Sequence, residues 1–387
     1  MRQSFQTELK QLSEKNLYRK LRVLEHHEGT RARFEGRELL LFCSNDYLGL
    51  SRYPRVVHAA RKALETYGVG AGAARLISGT SEAHRKLEEK IARFKRKEAA
   101  VVFATGFLAN LGILTAFAGT GDVIIMDKLC HASLVDGARL SGAALRVFPH
   151  KNYKQCEALL KKSKTARRKI LVTESVFSMD GDLADLGELI RLKEKYGALL
   201  VVDDAHGTGV VGESGRGATE PEGIAEGVDV IMGTLSKAVG GLGGFVAADK
   251  VLIDTLVNFA RPFIFATALP PMLCEAAREA FCVIEEEPSL REKLWENIRT
   301  VEKGLKAAGF SPASAASAIL PVILGDEKKA LDAFEALLSG GIFIPAVRYP
   351  TVPKGKARLR ITVSAAHTAE DIKKLIETFN RFKKTGL

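Results

Sequence analysis

The sequence predicts an α/β protein, with a mostly parallel sheet layered between helices and a smaller C-terminal α+β domain. Three observations predict it. From about residue 98 to 250, short apolar runs rich in β-branched residues alternate with helix-length amphipathic segments, as expected of strands buried on both faces. Polar residues suited to chemistry fall at or just past the ends of those runs, where open α/β sheets bind their ligands. After about residue 270 the pattern changes to long helices and then to separate strand-like runs. With 387 residues, 46% of them hydrophobic, the chain is long enough for two or three lobes, each with its own core.

In chain order, residues 1–40 read as a helix and a short hairpin. Residues 41–270 form the large domain, whose seven strands are AAVVFAT, DVIIMD, LRVFP, KILVTES, ALLVVDDAHG, DVIMGTLS and GGFVAAD. One intervening helix starts at Phe107 and another follows His131. Residues 271–387 form the small domain, with helices over Pro271 to Glu287 and Leu290 to Ala308 and a low-complexity hinge, SPASAASA, from Ser311 to Ala318. Strands follow in AILPVILG, GIFIPAV and ARLRITVS, and an amphipathic helix from Ala369 to Lys384 closes the chain.

The formal net charge of +11 favours anionic partners in general. The densest basic run, Lys161 to Lys169, carries no interleaved aromatic residue and no nucleic-acid motif, so it reads as a solvated surface turn, and no nucleic-acid partner is expected. The opening residues lack the apolar core of a signal peptide, and no later run approaches the ~18 apolar residues of a membrane span. A cytoplasmic protein with no membrane partner is expected. Cys43, Cys130, Cys156, Cys274 and Cys282 form no C-x-x-C pair, and no histidine stands at metal-ligand spacing, so neither a disulfide framework nor a metal site is expected.

The candidate chemistry gathers around VVDDAHGT (Val201 to Thr208) and TLSK (Thr234 to Lys237). A lysine at a strand end can form a Schiff base, and a strand-end carboxylate, Asp203, can keep a heteroaromatic nitrogen protonated. His206 is placed to reach a phenolic oxygen. Thr105-Gly106-Phe107 supplies strand, glycine and helix start, where exposed amides favour a phosphate, and Thr234 adds a hydroxyl. His131 opens a helix, where an imidazole either caps the helix or faces a cofactor ring. The glycine-rich stretches Gly68 to Arg75 and Gly240 to Gly244 do not link a strand to a helix with an acidic residue ~20 positions on, which argues against a dinucleotide site. GESGR, at Gly212 to Arg216, lacks the second glycine of a hydrolase nucleophile elbow.

Over nearly its whole length the chain resembles the α-oxoamine synthase family of fold-type-I pyridoxal-phosphate enzymes. Seven segments carry the resemblance: SNDYLGL (Ser44 to Leu50), ARLISGT (Ala74 to Thr80), CHASL, TESVFSMDGD (Thr173 to Asp182), VDDAHGTG, TLSK and PTVPKGKARLRITVSAAH (Pro350 to His367). The resemblance implies pyridoxal 5'-phosphate as cofactor, with Lys237 as the lysine that carries it and moves the substrate proton. Asp203 would pair with the ring nitrogen, His206 with the ring hydroxyl and His131 with the ring face. Gly106, Phe107 and Thr234 would hold the phosphate, Ser178 would complete the pocket, and Thr267 would reach the phosphate of a neighbouring subunit. Arg360 would clamp an amino-acid carboxylate. The family is homodimeric with shared active sites, so Asn45 is expected to act on substrate across the interface.

Within the family, AVRYPTVPKGKARLR is most similar to members that condense L-alanine with a pimeloyl thioester, on coenzyme A or an acyl carrier protein, to give 8-amino-7-oxononanoate for biotin. Arg19 and Thr351 match the substrate-contacting positions of those members. Tyr349 departs from their usual proline and is closer to members that join glycine to acetyl-coenzyme A. The DDAHGTG form, with Asp204 and Gly207-Thr208, leans back toward the alanine users. A basic binding protein that has kept the fold without the chemistry is the alternative from another class.

Overall fold

The computed structural model describes residues 1–310, 312 and 315–385. The hinge Ser311 to Ala318 therefore lies partly outside the described residues. Two compact units are present: residues 48–178 with 182–292, and residues 1–47 with 179–181 and 293–387.

The larger unit is built on a seven-stranded sheet. Its strands are β1 (Ala99–Phe103), β2 (Val123–Asp127), β3 (Ala144–Phe148), β4 (Lys169–Glu174), β5 (Leu199–Asp203), β6 (Val230–Thr234) and β7 (Gly244–Ala248). They lie in the order β1-β7-β6-β5-β4-β2-β3. All neighbouring pairs are parallel except those made by β7, which runs antiparallel to both β1 and β6. Side chains along each strand alternate between two cores. Val201, Val172 and Met126 enter one, with the helix Gly106–Phe117. Val202, Leu171 and Ile125 enter the other, with the helices Tyr153–Lys162 and Leu186–Tyr196. Each such side chain, fully buried, contributes roughly 1.5–3 kcal/mol. This alternation explains why the runs read as unbroken apolar stretches, and it fixes which face each strand-end residue takes.

The helix Pro271–Glu286 packs on the helices Pro54–Tyr67 and Glu82–Lys95 and so belongs to the larger unit. The division thus falls at 292/293, inside the helix Pro288–Ala307, and not at 270/271. Residues 1–40 attach to the smaller unit. Arg37–Leu41 pairs in parallel with Ile342–Phe343, and Arg31 donates to Asp371 at 2.6 Å. The smaller unit has a four-stranded sheet containing those strands and a three-stranded sheet of Ile319–Gly325, Ala357–Thr362 and Ala346–Val347. GIFIPAV, expected as one strand, is divided between the two sheets. Pro345 offers no amide to either ladder and stands where the chain changes sheet.

The basic run Lys161 to Lys169 is more than a solvated turn. Arg167 and Arg168 both clasp the buried Asp122 at 2.9 Å, and the hydrogen bonds from Arg167 hold its carboxyl well below the usual range. No helix among the described residues is long and apolar enough to cross a membrane.

Candidate active site

The strands β1 to β6 point the same way, so their C-terminal ends form one edge of the sheet. Asp203 is the last residue of β5 and faces the core that holds the helix Gly106–Phe117. There Asn110 donates to Asp203 Oδ2 at 2.7 Å, and the Ala205 amide donates to Oδ1 at 3.0 Å. The same Asn110 amide reaches Ser133 Oγ at 2.9 Å, and Ser133 Oγ lies 2.7 Å from His131 Nδ1. His131 caps the helix Ala132–Leu140 by accepting the Ser133 amide, and its ring meets Phe107 edge-on, 6.3 Å between centroids. Asp203, Asn110, Ser133 and His131 thus form one hydrogen-bonded chain.

Lys237 lies just past β6, with its Nζ 2.9 Å from His206 Nε2. His206 is buried in the turn after β5. Between them and the helix start, Thr234 Oγ1 lies 2.7 Å from Ser236 Oγ and donates to the Gly243 carbonyl at 2.9 Å. Thr105 Oγ1 caps the amide of Leu108, and the first-turn amides of Gly106 and Phe107 keep no partner among the described residues. Such amides, at the positive end of the helix dipole, suit an anion. Gly244, where β7 enters this edge, must be glycine: a Cβ there would stand 2.6 Å from Gly106 Cα.

Ser178, buried in the loop after β4, donates its amide to Glu174 at 3.0 Å. Thr267 is exposed in an isolated bridge with Ala74. Four of the matched residues belong to the smaller unit. Arg360 is buried and donates to Asn45 Oδ1 at 3.1 Å, and Asn45 also accepts from the Tyr47 hydroxyl at 3.0 Å. Arg19 donates to the Tyr349 carbonyl at 3.0 Å, in the turn where the Thr351 amide bonds the Arg348 carbonyl.

The donor set of the larger unit fits pyridoxal phosphate. Asp203 offers a buried anion for a pyridinium, Lys237 an amine for an aldehyde, and the helix start two unused amides for a phosphate. Sequence reasoning missed Asn110, Ser133 and Lys95. Asn110 left a signal, as one amide in the otherwise apolar helix GFLANLGILTAF.

The class I and II aminotransferase family matches residues 37–379. The chain belongs to that family and, within it, to the α-oxoamine synthases of fold type I, and its cofactor is pyridoxal phosphate. It is 46% identical over 386 residues to the 8-amino-7-oxononanoate synthase of Geobacter sulfurreducens, covering 99% of both chains. Among solved structures it is similar to serine palmitoyltransferase from S. paucimobilis with a bound PLP-myriocin aldimine, at TM-score 0.94 and 33% identity, over 99% of this chain and 97% of that one. The 8-amino-7-oxononanoate synthase of Francisella tularensis gives a TM-score of 0.76 at 29% identity, over 90% of this chain and 98% of that one.

Proposed function

We propose that the protein condenses L-alanine with a pimeloyl thioester, releasing carbon dioxide and the free thiol carrier and forming 8-amino-7-oxononanoate on the way to biotin. The observation that carries this reading is the strand edge at which Lys237 meets His206 beside Asp203, in a chain similar from end to end to synthases of that name.

Bound pyridoxal phosphate supplies an electron sink for negative charge at the α-carbon of the amino acid. Lys237 would hold its aldehyde carbon, Asp203 its ring nitrogen, His206 its ring oxygen and His131 its ring face. Gly106, Phe107, Ser178 and Thr234 would hold the rest, with Thr267 serving the partner's phosphate. Asp203 favours a protonated ring nitrogen because a buried carboxylate stabilises a neighbouring cation. Asn110 and the Ala205 amide fix the direction in which that carboxylate points. The Lys237 amine takes the proton from the α-carbon and returns it after carbon dioxide has left, a general acid–base task that His206, hydrogen-bonded to Nζ, orients. Arg360, held by Asn45, binds the substrate carboxylate with its planar guanidinium, while Arg19 and Thr351 contact the acyl substrate.

The working form in this reading is a homodimer. Val69, Leu76, Ile77 and Phe265 are 75%, 52%, 81% and 68% exposed, an apolar surface around the Ala74–Thr267 bridge that a second copy would cover. The basic net charge suits an anionic thioester carrier, either coenzyme A or an acidic carrier protein.

The test is product mass after incubation with alanine and pimeloyl-coenzyme A, run beside glycine and acetyl-coenzyme A. The mass of 8-amino-7-oxononanoate from the first pair alone is expected. A product from the glycine pair alone would transfer the assignment to the activity that Tyr349 resembles, and no product from either would favour a binding protein.

A further inference from the structure

One carboxyl at the catalytic edge has no part in the scheme above. Glu174 ends β4 directly beside Asp203 in the parallel register and is 2% exposed. Like Asp203, it faces the core of Val172 and Val201. Its Oε2 accepts the Ser178 amide at 3.0 Å. Oε1 is fully buried with no hydrogen-bond partner among the described residues. That amide belongs to the loop after β4, which carries a residue assigned above to the cofactor.

We propose that Glu174 is a positioning residue whose carboxyl holds the Ser178 loop at the sheet edge beside Asp203 and so sets the width of the cofactor slot.

Two ionised carboxyls cannot lie side by side at this depth without strong compensation. Burial first, and the charge of Asp203 second, push Glu174 up to about 8, against the opposing pull of Lys237 and of neighbouring backbone amides. Below that pH the group is a neutral acid. It still accepts the Ser178 amide, though less strongly than a carboxylate would, and adds no second charge beside the ring nitrogen. A neutral acid also leaves Oε1 unpartnered at a smaller cost than an ionised one would. The titratable groups around it are Asp203 on β5, Lys237 after β6, and Cys130 and His131 after β2. Cys130 stays protonated, its thiol raised well above its usual value by burial and by the neighbouring carboxylates.

The inference rests on the cofactor site described above, and one titration separates the two. Full-length protein freed of cofactor is titrated with pyridoxal phosphate, read by protein fluorescence and by the circular dichroism of the bound ring, for the wild type, Glu174→Gln and Glu174→Ala. Urea unfolding of the cofactor-free proteins serves as the fold control. Glu174→Gln keeps an oxygen acceptor for the Ser178 amide and is expected to bind within about threefold of wild type. Glu174→Ala is expected to bind roughly 10–100-fold more weakly, the range seen when an outer-sphere support is removed, with altered dichroism. Wild-type affinity should fall as pH rises through about 8, while that of Glu174→Gln stays level. Glu174→Ala binding as wild type does, or Glu174→Gln failing as badly as Glu174→Ala, overturns the positioning role. A wild type that takes up no cofactor overturns the site itself.

Discussion

Asp203 and Asp204 are chain neighbours, yet they anchor two different regions of the larger unit. Asp203 turns toward Asn110 and the Ala205 amide, both neutral donors. Asp204 turns to the opposite side, where it meets the Lys95 ammonium at 2.8 Å, the Ser175 hydroxyl at 2.6 Å and the Ala218 amide at 3.2 Å. Neither Lys95 nor Asp204 has any exposed side-chain surface. The backbone wraps Asp204 so closely that a Cβ on Gly207 or Gly217 would stand 2.1 or 1.8 Å from its oxygens. One carboxylate is thus neutralised inside the fold, and the other keeps its charge available to a cationic guest. A buried anion with neutral donors marks a binding site, whereas a buried anion with its own cation marks a support.

The sharpest way to break this contrast is Asp204→Ala, which strands the Lys95 ammonium in the core. A loss of about 3–5 kcal/mol is expected for the cofactor-free protein, read from urea unfolding. The pair Lys95→Met with Asp204→Leu should restore most of it. Asp203→Asn should leave the unfolding free energy within about 1 kcal/mol while lowering turnover at least ~100-fold, the size of losing one preorganised electrostatic partner. Exchanged phenotypes for the two aspartates would end the distinction.

A third strand-end carboxylate, Asp127, sharpens the contrast at smaller scale. Its cation is His150, which lies 3.1 Å from Asp127 and 3.0 Å from Asp182. Burial disfavours the imidazolium, but the hydrogen bonds to both carboxylates outweigh it and raise His150 to about 9. The folded state therefore favours the charged ring. Its contribution is complete below about pH 6.5 and is lost as pH rises through about 9. In His150→Gln the stability difference from wild type should shrink over that window. Its full size should stay below ~1 kcal/mol, because His150 and Asp182 are partly hydrated.

Much of this was legible in the residues. The seven apolar runs are the seven strands, since runs buried on both faces leave an unmistakable pattern. The placement of Asp203, His206 and Lys237 at or just past strand ends was legible from where the apolar runs stop. Period-two alternation separates Asp203 from Asp204, but only once the strand's last residue is fixed. What stayed hidden was long-range. Nothing local in FKRKEAA pairs Lys95 with Asp204, and a basic run gives no sign of the buried Asp122 that Arg167 and Arg168 share. The division of GIFIPAV between two sheets depends on partners far away in the chain, and so does the place of Pro271–Glu286 in the larger unit.

The parallel pairing of Arg37–Leu41 with Ile342–Phe343 has a bearing on synthesis. About 300 residues separate the two strands, so at roughly 5–20 residues per second the first waits some 15–60 s for its partner to be translated. The segment 48–292, by contrast, carries nearly all of its own unit before the C-terminal residues exist. The nascent protein should therefore complete its sheet of seven first, while Arg37–Leu41, paired on one side with Arg31–Phe34, keeps its other edge open and in need of shielding until the ribosome lets go.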